Sequence, residues 1–336
     1  MAEEHLAQLR VAVEAALSTD SPVQLAPLRA MDGGRSGVTL VSGVTEMPGL
    51  PEVDCVVVKA APLGRPPVGR HDVLRQARVL AALADTPGVV VPRVLATGTS
   101  PVHFYAMTRS PGTAVEPVLD SVTVHLPAEV VRGRAEAAAD MLAALHRASV
   151  PPDAHGGEEP VADLASEVAR WRVTGEAADP QVLVGGGRLA DLLAAGQPRI
   201  EVDPVLVHGD FRLGNLVFEG THPTGLIDWE IWGRTHPGVD LGWFLVFCDA
   251  DLFPGIGAPV AGLPTSRELL DRYVAAGGTE PQELAWFEAF GRFKMAAVMA
   301  HNLRRHREGR HHDPFQEKLP PTIARLIETG IDKLRG

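Results

Sequence analysis

Residues 208–215 read His-Gly-Asp-Phe-Arg-Leu-Gly-Asn, the pattern H-x-D-x-x-x-x-N, and Ile227-Asp228-Trp229-Glu230 supplies a second acid 13 residues after Asn215. Each of these residue types has a task in phosphoryl transfer from a nucleotide. An Asp can accept the proton of an attacking hydroxyl, while an Asn and a further Asp hold Mg²⁺ against the phosphates of ATP. The chain has 13 His and only two Asn, Asn215 and Asn302, so roughly 0.005 chance occurrences of this spacing are expected. Asp210 is therefore the candidate base, with Asn215 and Asp228 the candidate metal ligands. His208 is placed to orient the loop through hydrogen bonding. Glu230 either supports the metal shell or closes a turn.

Short apolar runs flank these groups: Val205-Leu206-Val207, Leu216-Val217-Phe218 and Gly225-Leu226-Ile227. They read as strands that hold polar residues at their ends. Lysine usage gives a second clue, because only Lys59, Lys294, Lys318 and Lys333 occur among 31 basic residues. Lys59 ends the run Cys55-Val56-Val57-Val58, which reads as a buried strand. An ammonium there is costly unless it meets an anion such as a phosphate. Upstream, Gly33-Gly34-Arg35-Ser36-Gly37 lies between two apolar runs. A Gly-rich hairpin lets backbone N–H groups approach phosphate oxygens, although this stretch matches neither G-x-G-x-x-G nor the Walker pattern.

Over most of its length the chain resembles the aminoglycoside phosphotransferase family of protein-kinase-like small-molecule kinases. The blocks that carry the resemblance are residues 33–36, Lys59, Val91-Pro92-Arg93-Val94-Leu95, residues 104–112, Leu145-His146, residues 208–215, Asp228-Trp229-Glu230 and Pro237-Gly238-Val239-Asp240-Leu241. The resemblance implies an α+β, bilobal protein-kinase-like fold, with a small antiparallel-sheet lobe over 1–109 and a mainly helical lobe over 110–336. It implies ATP and Mg²⁺ as cofactors. Gly33, Gly34, Arg35, Ser36 and Lys59 would serve the phosphates, and Met107, Thr108 and Arg109 the adenine. Asp240 would be a buried acid bracing the catalytic loop. In two places the chain departs from the family pattern: Gln76 stands where a Glu usually pairs with the strand lysine, and Gly37 replaces an Asn. Lys59 is thus expected to meet either Gln76 or Asp72, one helical turn earlier.

The implied function is transfer of the γ-phosphoryl group of ATP to a hydroxyl of a small molecule. The acceptor could be an aminoglycoside, a macrolide, another sugar or nucleoside, or a hydroxyacyl thioester. A nucleotide-binding module without turnover is the alternative from another class. A protein kinase is disfavoured, because 11 residues between Asp228 and Asp240 leave no room for an activation segment.

Bulk properties agree with this reading. A length of 336 residues suits about two domains. Residues 1–110 hold ten basic and ten acidic side chains, so the net charge of −11 falls in the remainder, with 21 basic and 32 acidic. That argues against nucleic acid and is compatible with a cationic acceptor. Two widely separated cysteines, no apolar run of membrane-spanning length and an acidic N-terminal stretch point to a cytoplasmic protein. Hydrophobic periodicity predicts helices over 5–17, 72–83, 127–148, 161–171, 187–195, 237–247, 266–276, 281–305 and 320–333. It predicts strands over 23–28, 38–41, 53–59, 89–95 and 102–107. Residues 306–313, rich in His, read as a solvated helix end rather than a metal site.

Overall fold

The structure is a computed structural model that describes residues 3–18, 21–31, 38–47, 52–66, 68–120, 123–149, 161–199 and 202–335. The chain divides into two compact units. The first contains Met1–Pro111 and Thr224–Trp232; the second contains Gly112–Ala148, Pro160–Pro223 and Gly233–Gly336. The segment Thr224–Trp232 carries Asp228 and groups with the first unit, although it lies within the stretch 110–336 assigned above to the second lobe. Its ties are specific: Thr224 Oγ1 donates to the Pro111 carbonyl, Leu226 N to the Val90 carbonyl and Arg75 to the Trp232 carbonyl.

The first unit opens with helix α1 (Glu3–Leu17), then strands β1 (Gln24–Leu25), β2 (Arg29–Ala30), β3 (Val38–Glu46) and β4 (Cys55–Ala60). Helix α2 (Val73–Leu83) precedes β5 (Val94–Gly98) and β6 (Phe104–Thr108). The strands form one antiparallel sheet in the order β1-β3-β4-β6-β5, with β2 also on β3. Side chains alternate between faces of a strand. Val56, Val58 and Ala60 of β4 join Leu40, Phe104 and Ala106 in a core with Leu9 and Val13 of α1. Lys59, one step out of phase, is sent to the opposite face, in register with Tyr105.

Two expected strands are shorter or broken. Of residues 23–28 only Gln24–Leu25 form a strand, β1; the chain breaks at Pro27, which has no N–H to donate, and β2 begins beyond that range at Arg29. The run 89–95 becomes a strand only from Val94, beyond Pro92. Conversely, β3 continues past Val41 because Ser42, fully buried, satisfies its hydroxyl on the Ala26 carbonyl at 2.6 Å.

The second unit is mainly helical: α3 (Pro117–Asp120), α4 (Ala128–His146), α5 (Leu164–Glu176), α6 (Gly186–Ala195), α7 (Gly238–Val246), α8 (Ser266–Ala275), α9 (Leu284–Arg307) and α10 (Pro320–Lys333). Strand β7 (Val205–Val207) pairs with β10 (Gly233–Thr235), and β8 (Leu216–Glu219) forms a hairpin with β9 (His222–Leu226). Helix α5 starts later than periodicity predicts because Asp163 caps it, accepting from Ser166 N at 2.7 Å. α7 is buried along its whole length, as expected of a strongly apolar helix, and α9 is buried through most of its middle. They cross at Gly242 and Gly291. A Cβ on Gly242 would collide with the Phe287 carbonyl, and one on Gly291 would press on the Gly242 carbonyl oxygen.

This crossing sets how closely α7 and α9 approach. Gly242→Ala should lower stability by about 1–3 kcal/mol through overpacking against backbone that cannot rotate away, read as a lower urea midpoint. A midpoint equal to wild type would show that the two helices part without cost.

Candidate active site

In the first unit, β4 carries Lys59 into a buried position (8% exposed). Its Nζ donates to Asp228 Oδ1 at 2.8 Å. Burial opposes the ammonium's charge, but Tyr105, Asp228 and Glu230 outweigh it and hold its pKa above the usual lysine value. The expectation that Asp72 could partner Lys59 is overturned. Asp72 is the N-cap of α2, accepting from Arg75 N at 3.0 Å and facing Arg78. A helix start claims the carboxylate first. Gln76 lies on the sheet side of α2, buried, and accepts from the Tyr105 hydroxyl at 3.4 Å, which places it beside the Lys59 strand pair.

Asp228 has φ +68, the one positive φ at a non-glycine among the described residues. The left-handed conformation costs an L-residue roughly 1–2 kcal/mol, and Asp is among those that tolerate it. Trp229, buried behind it, donates its indole N–H to the Leu226 carbonyl at 2.8 Å and anchors the turn. Glu230 sits half-buried and contributes to the field on Lys59. Met107, buried in β6, pairs with Val57 and Val94, while Thr108 Oγ1 accepts from Arg93 N at 3.0 Å. Arg109 follows the strand, its guanidinium beside the Cys55 thiol. Gly33, Gly34, Arg35 and Ser36 lie outside the described residues.

In the second unit the loop after β7 carries Asp210. Asp240, in the first turn of α7 and wholly buried, accepts from His208 N at 2.6 Å and Gly209 N at 2.8 Å. Burial opposes ionisation of this acid. His146, His208 and Lys294 outweigh that penalty and hold its carboxyl below the usual range. His146 Nε2 stands 3.7 Å from Asp240, and its Nδ1 meets the Tyr273 hydroxyl at 2.8 Å. His208 Nδ1 accepts from Asp210 N at 3.1 Å. The Asp210 side chain keeps 22% exposure. Trp243 Nε1 donates to its Oδ1 at 2.8 Å, and Asn215 Nδ2 donates to its Oδ2 and to its backbone carbonyl, both at 2.8 Å. Those bonds use the amide nitrogen of Asn215 and leave its carbonyl oxygen as an acceptor.

Four groups here escape motif reading. Trp243 holds the Asp210 carboxylate from α7. Arg212 places Nε 3.5 Å from Asp210 Oδ1 and Nη1 3.4 Å from Glu116. Glu116 also accepts from Gly214 N at 3.0 Å; burial pushes its carboxyl up to about 7 against the pull of Arg212 and that N–H. Lys294 on α9, 2% exposed, donates to the Gly209 carbonyl. Its one sequence signal is a rare lysine inside an apolar helical run. By contrast, residues 306–313 end α9 at Arg307, with His306 Nδ1 accepting from Asp313 N. No group of three or more His, Cys, Asp or Glu able to hold a metal exists among the described residues.

Residues 50–290 match the sequence model of the phosphotransferase enzyme family, APH. The chain belongs to this family. Its α+β, protein-kinase-like fold is also that of solved family structures. A Ralstonia eutropha protein, provisionally assigned as an aminoglycoside phosphotransferase, superposes with a TM-score of 0.75 at 20% identity, covering 98% of each chain. Spectinomycin phosphotransferase APH(9)-Ia, in complex with ADP and spectinomycin, gives 0.59 at 13% identity over 97% of this chain and 98% of that one. Macrolide 2′-phosphotransferase from Brachybacterium faecium gives 0.58 at 18% over 94% and 97%. At these identities the likeness is one of fold. Among curated relatives, acyl-CoA dehydrogenase family member 11 of Mus musculus is 29% identical over 178 residues, 49% of this chain and 22% of that protein. Family member 10 of the same species is 26% identical over 262 residues, 73% and 24% respectively. The APH chain thus spans about a quarter of the length of the curated relatives it matches. Among the described residues, no helix is long and apolar enough to cross a membrane.

Asp240→Asn leaves one carboxamide oxygen for two buried N–H donors, and each unsatisfied donor costs about 1–3 kcal/mol. The depressed native pKa of Asp240 means that its contribution is complete above the unfolded value, about 3.9, and is lost as pH falls through the native one. Urea unfolding should show the variant destabilised at pH 7 and the gap to wild type narrowing below about pH 4. An unchanged gap down to pH 3 would contradict the ionised assignment.

Proposed function

We propose that this APH-family chain is an ATP-dependent kinase that moves the γ-phosphoryl group of ATP to a hydroxyl of a small molecule. The observation that carries the reading is the hold on Asp210. Its two carboxylate oxygens each accept a directed bond, from Trp243 and from Asn215, while part of the side chain stays exposed. A carboxylate has about four lone-pair sites, so capacity remains for an incoming hydroxyl. Asp210 then orients that hydroxyl and takes its proton as the phosphoryl group transfers in line.

Lys59 uses one N–H on Asp228 and keeps two for the α- and β-phosphates. Asn215 and Asp228 offer oxygen donors, the ligand type Mg²⁺ takes; when bound, the ion would neutralise charge on the phosphates. Gly33, Gly34, Arg35 and Ser36 are assigned to the phosphates, Met107, Thr108 and Arg109 to the adenine, and Gln76 to steadying the Lys59 strand. The acidic excess of residues 111–336 favours a cationic acceptor such as an aminoglycoside, and a resistance role would follow. A second acceptor class has its own support: the curated relatives are named as acyl-CoA dehydrogenase family members, which favours a hydroxyacyl thioester and a metabolic role. A cytoplasmic location is our reading for either acceptor, in keeping with the two free cysteines.

The deciding experiment is ADP release from Mg·ATP with a panel of aminoglycosides, macrolides, nucleosides and hydroxyacyl thioesters. Release with one class identifies the acceptor. ATP binding without release from any of them would replace the kinase by a nucleotide-binding module. Asp210→Ala should keep nucleotide binding and lose about a hundredfold or more in kcat; wild-type-like turnover refutes its role. Asp228→Ala should weaken binding of Mg·ATP, and an unchanged affinity by calorimetry would remove Asp228 from the metal site.

A further inference from the structure

Lys294 lies outside the stretch 50–290 that matches the family. It is a buried ammonium in a helix whose neighbouring residues Phe290, Phe293, Ala296 and Ala297 are apolar. A methionine would fill the same space without the desolvation penalty of a charge. Its contacts explain the exception, since they converge on the residue proposed as the base. Nζ donates to the Gly209 carbonyl and stands 4.0 Å from the Trp243 ring centroid and 5.0 Å from that of Trp171.

The peptide joining Gly209 to Asp210 is thereby held at both ends: its carbonyl by Lys294 and its N–H by the His208 ring. Gly209 itself is at φ +82, so this plane is turned away from an ordinary extended path. The ring under the ammonium is the one whose N–H bonds Asp210 Oδ1. A cation on the ring face is attracted to its π-cloud and draws charge toward itself, which makes that N–H a stronger donor.

We propose that Lys294 is a positioning residue for phosphoryl transfer: its positive charge fixes the peptide ahead of Asp210 and braces the indole that aims the Asp210 carboxylate. The inference rests on the reading of Asp210 as the base. Asp210, Asp240 and Glu167 face Lys294 and favour its charge, whereas Arg170 opposes it; burial, the largest influence, pulls the ammonium down to about 8. The charge is therefore present at neutral pH and lost as pH rises through that value, and kcat should fall with it.

The test combines two variants with two readouts. Lys294→Met should lower kcat about ten- to a hundredfold while leaving nucleotide KM within about twofold, and its residual activity should lack the alkaline limb near pH 8. Lys294→Arg, which stays charged, should retain more activity and also lack that limb; it carries the test if the methionine variant fails to fold. A limb that persists in either variant, or a methionine variant within twofold of wild-type kcat, overturns the proposal. Tryptophan fluorescence, followed from pH 6 to 10, reads the ammonium beside Trp243 and Trp171 without turnover. A step near pH 8 is expected in wild type and not in Lys294→Arg, and its absence from wild type also overturns the proposal. A wild-type chain that shows the step yet phosphorylates no acceptor defeats the kinase reading rather than the charge at Lys294.

Discussion

One carboxylate organises the loop that follows β7. Asp240 takes the N–H groups of His208 and Gly209, and those two donors have no route to solvent once α7 is packed. Leaving either unmet would cost more than a typical hydrogen bond contributes, because the penalty is the full desolvation of a buried donor. The acid sits in the first turn of α7, where the helix dipole favours negative charge. The loop is therefore as rigid as the seat of that helix. That seat depends on the contact between Gly242 and the α9 backbone, which no side chain could occupy. The same helix α9 brings Lys294 to the Gly209 carbonyl. The two peptides before Asp210 are thus fixed by an anion on α7 and a cation on α9, and each charge lowers the cost of burying the other.

The Lys59–Asp228 pair obeys a different logic. Asp228 keeps 35% of its side chain exposed, and its backbone is in a strained region. Neither feature strengthens the fold: burying the ammonium costs desolvation while water still screens the acid, and strain subtracts. A cation delivered by a buried strand, facing an acid held in an uncommon conformation, is an arrangement that makes sense for a bound anion and its counter-ion. Here the physical chemistry points outward to a ligand, whereas at Asp240 it points inward to the loop.

The division between what the sequence revealed and what it concealed follows the same line. Asp210, Asn215 and His208 were legible because one short loop fixes their spacing, and Lys59 because it ends a β-branched run in a chain that otherwise uses arginine. The helices were legible to within a few residues, with ends shifted where a cap such as Asp163 took over. Prolines 27 and 92 interrupted strands that composition alone would continue. Asp72 was a plausible partner for Lys59 on helical spacing, but the same position is an N-cap, and capping prevailed. Trp243, Glu116 and Lys294 were hidden because they reach the loop from elements 33 to 98 residues away. Helices α7 and α9 are buried on every side in this region, so periodicity marks no functional face.

How these groups are bonded bears on what Asp210 contributes. In phosphoryl transfer the protein does little covalent chemistry, and most of the catalysis is positioning and electrostatic stabilisation. A carboxylate left free to rotate would present its lone pairs in many directions. Asp210 is instead met at both oxygens, by an indole N–H and a carboxamide N–H, with a guanidinium nearby. Those bonds reduce its freedom to rotate and define where the remaining lone pairs point. Its backbone N–H and the preceding carbonyl are tied down as well. Restraint of both backbone and side chain is the construction expected where the direction of a carboxylate decides what it can accept.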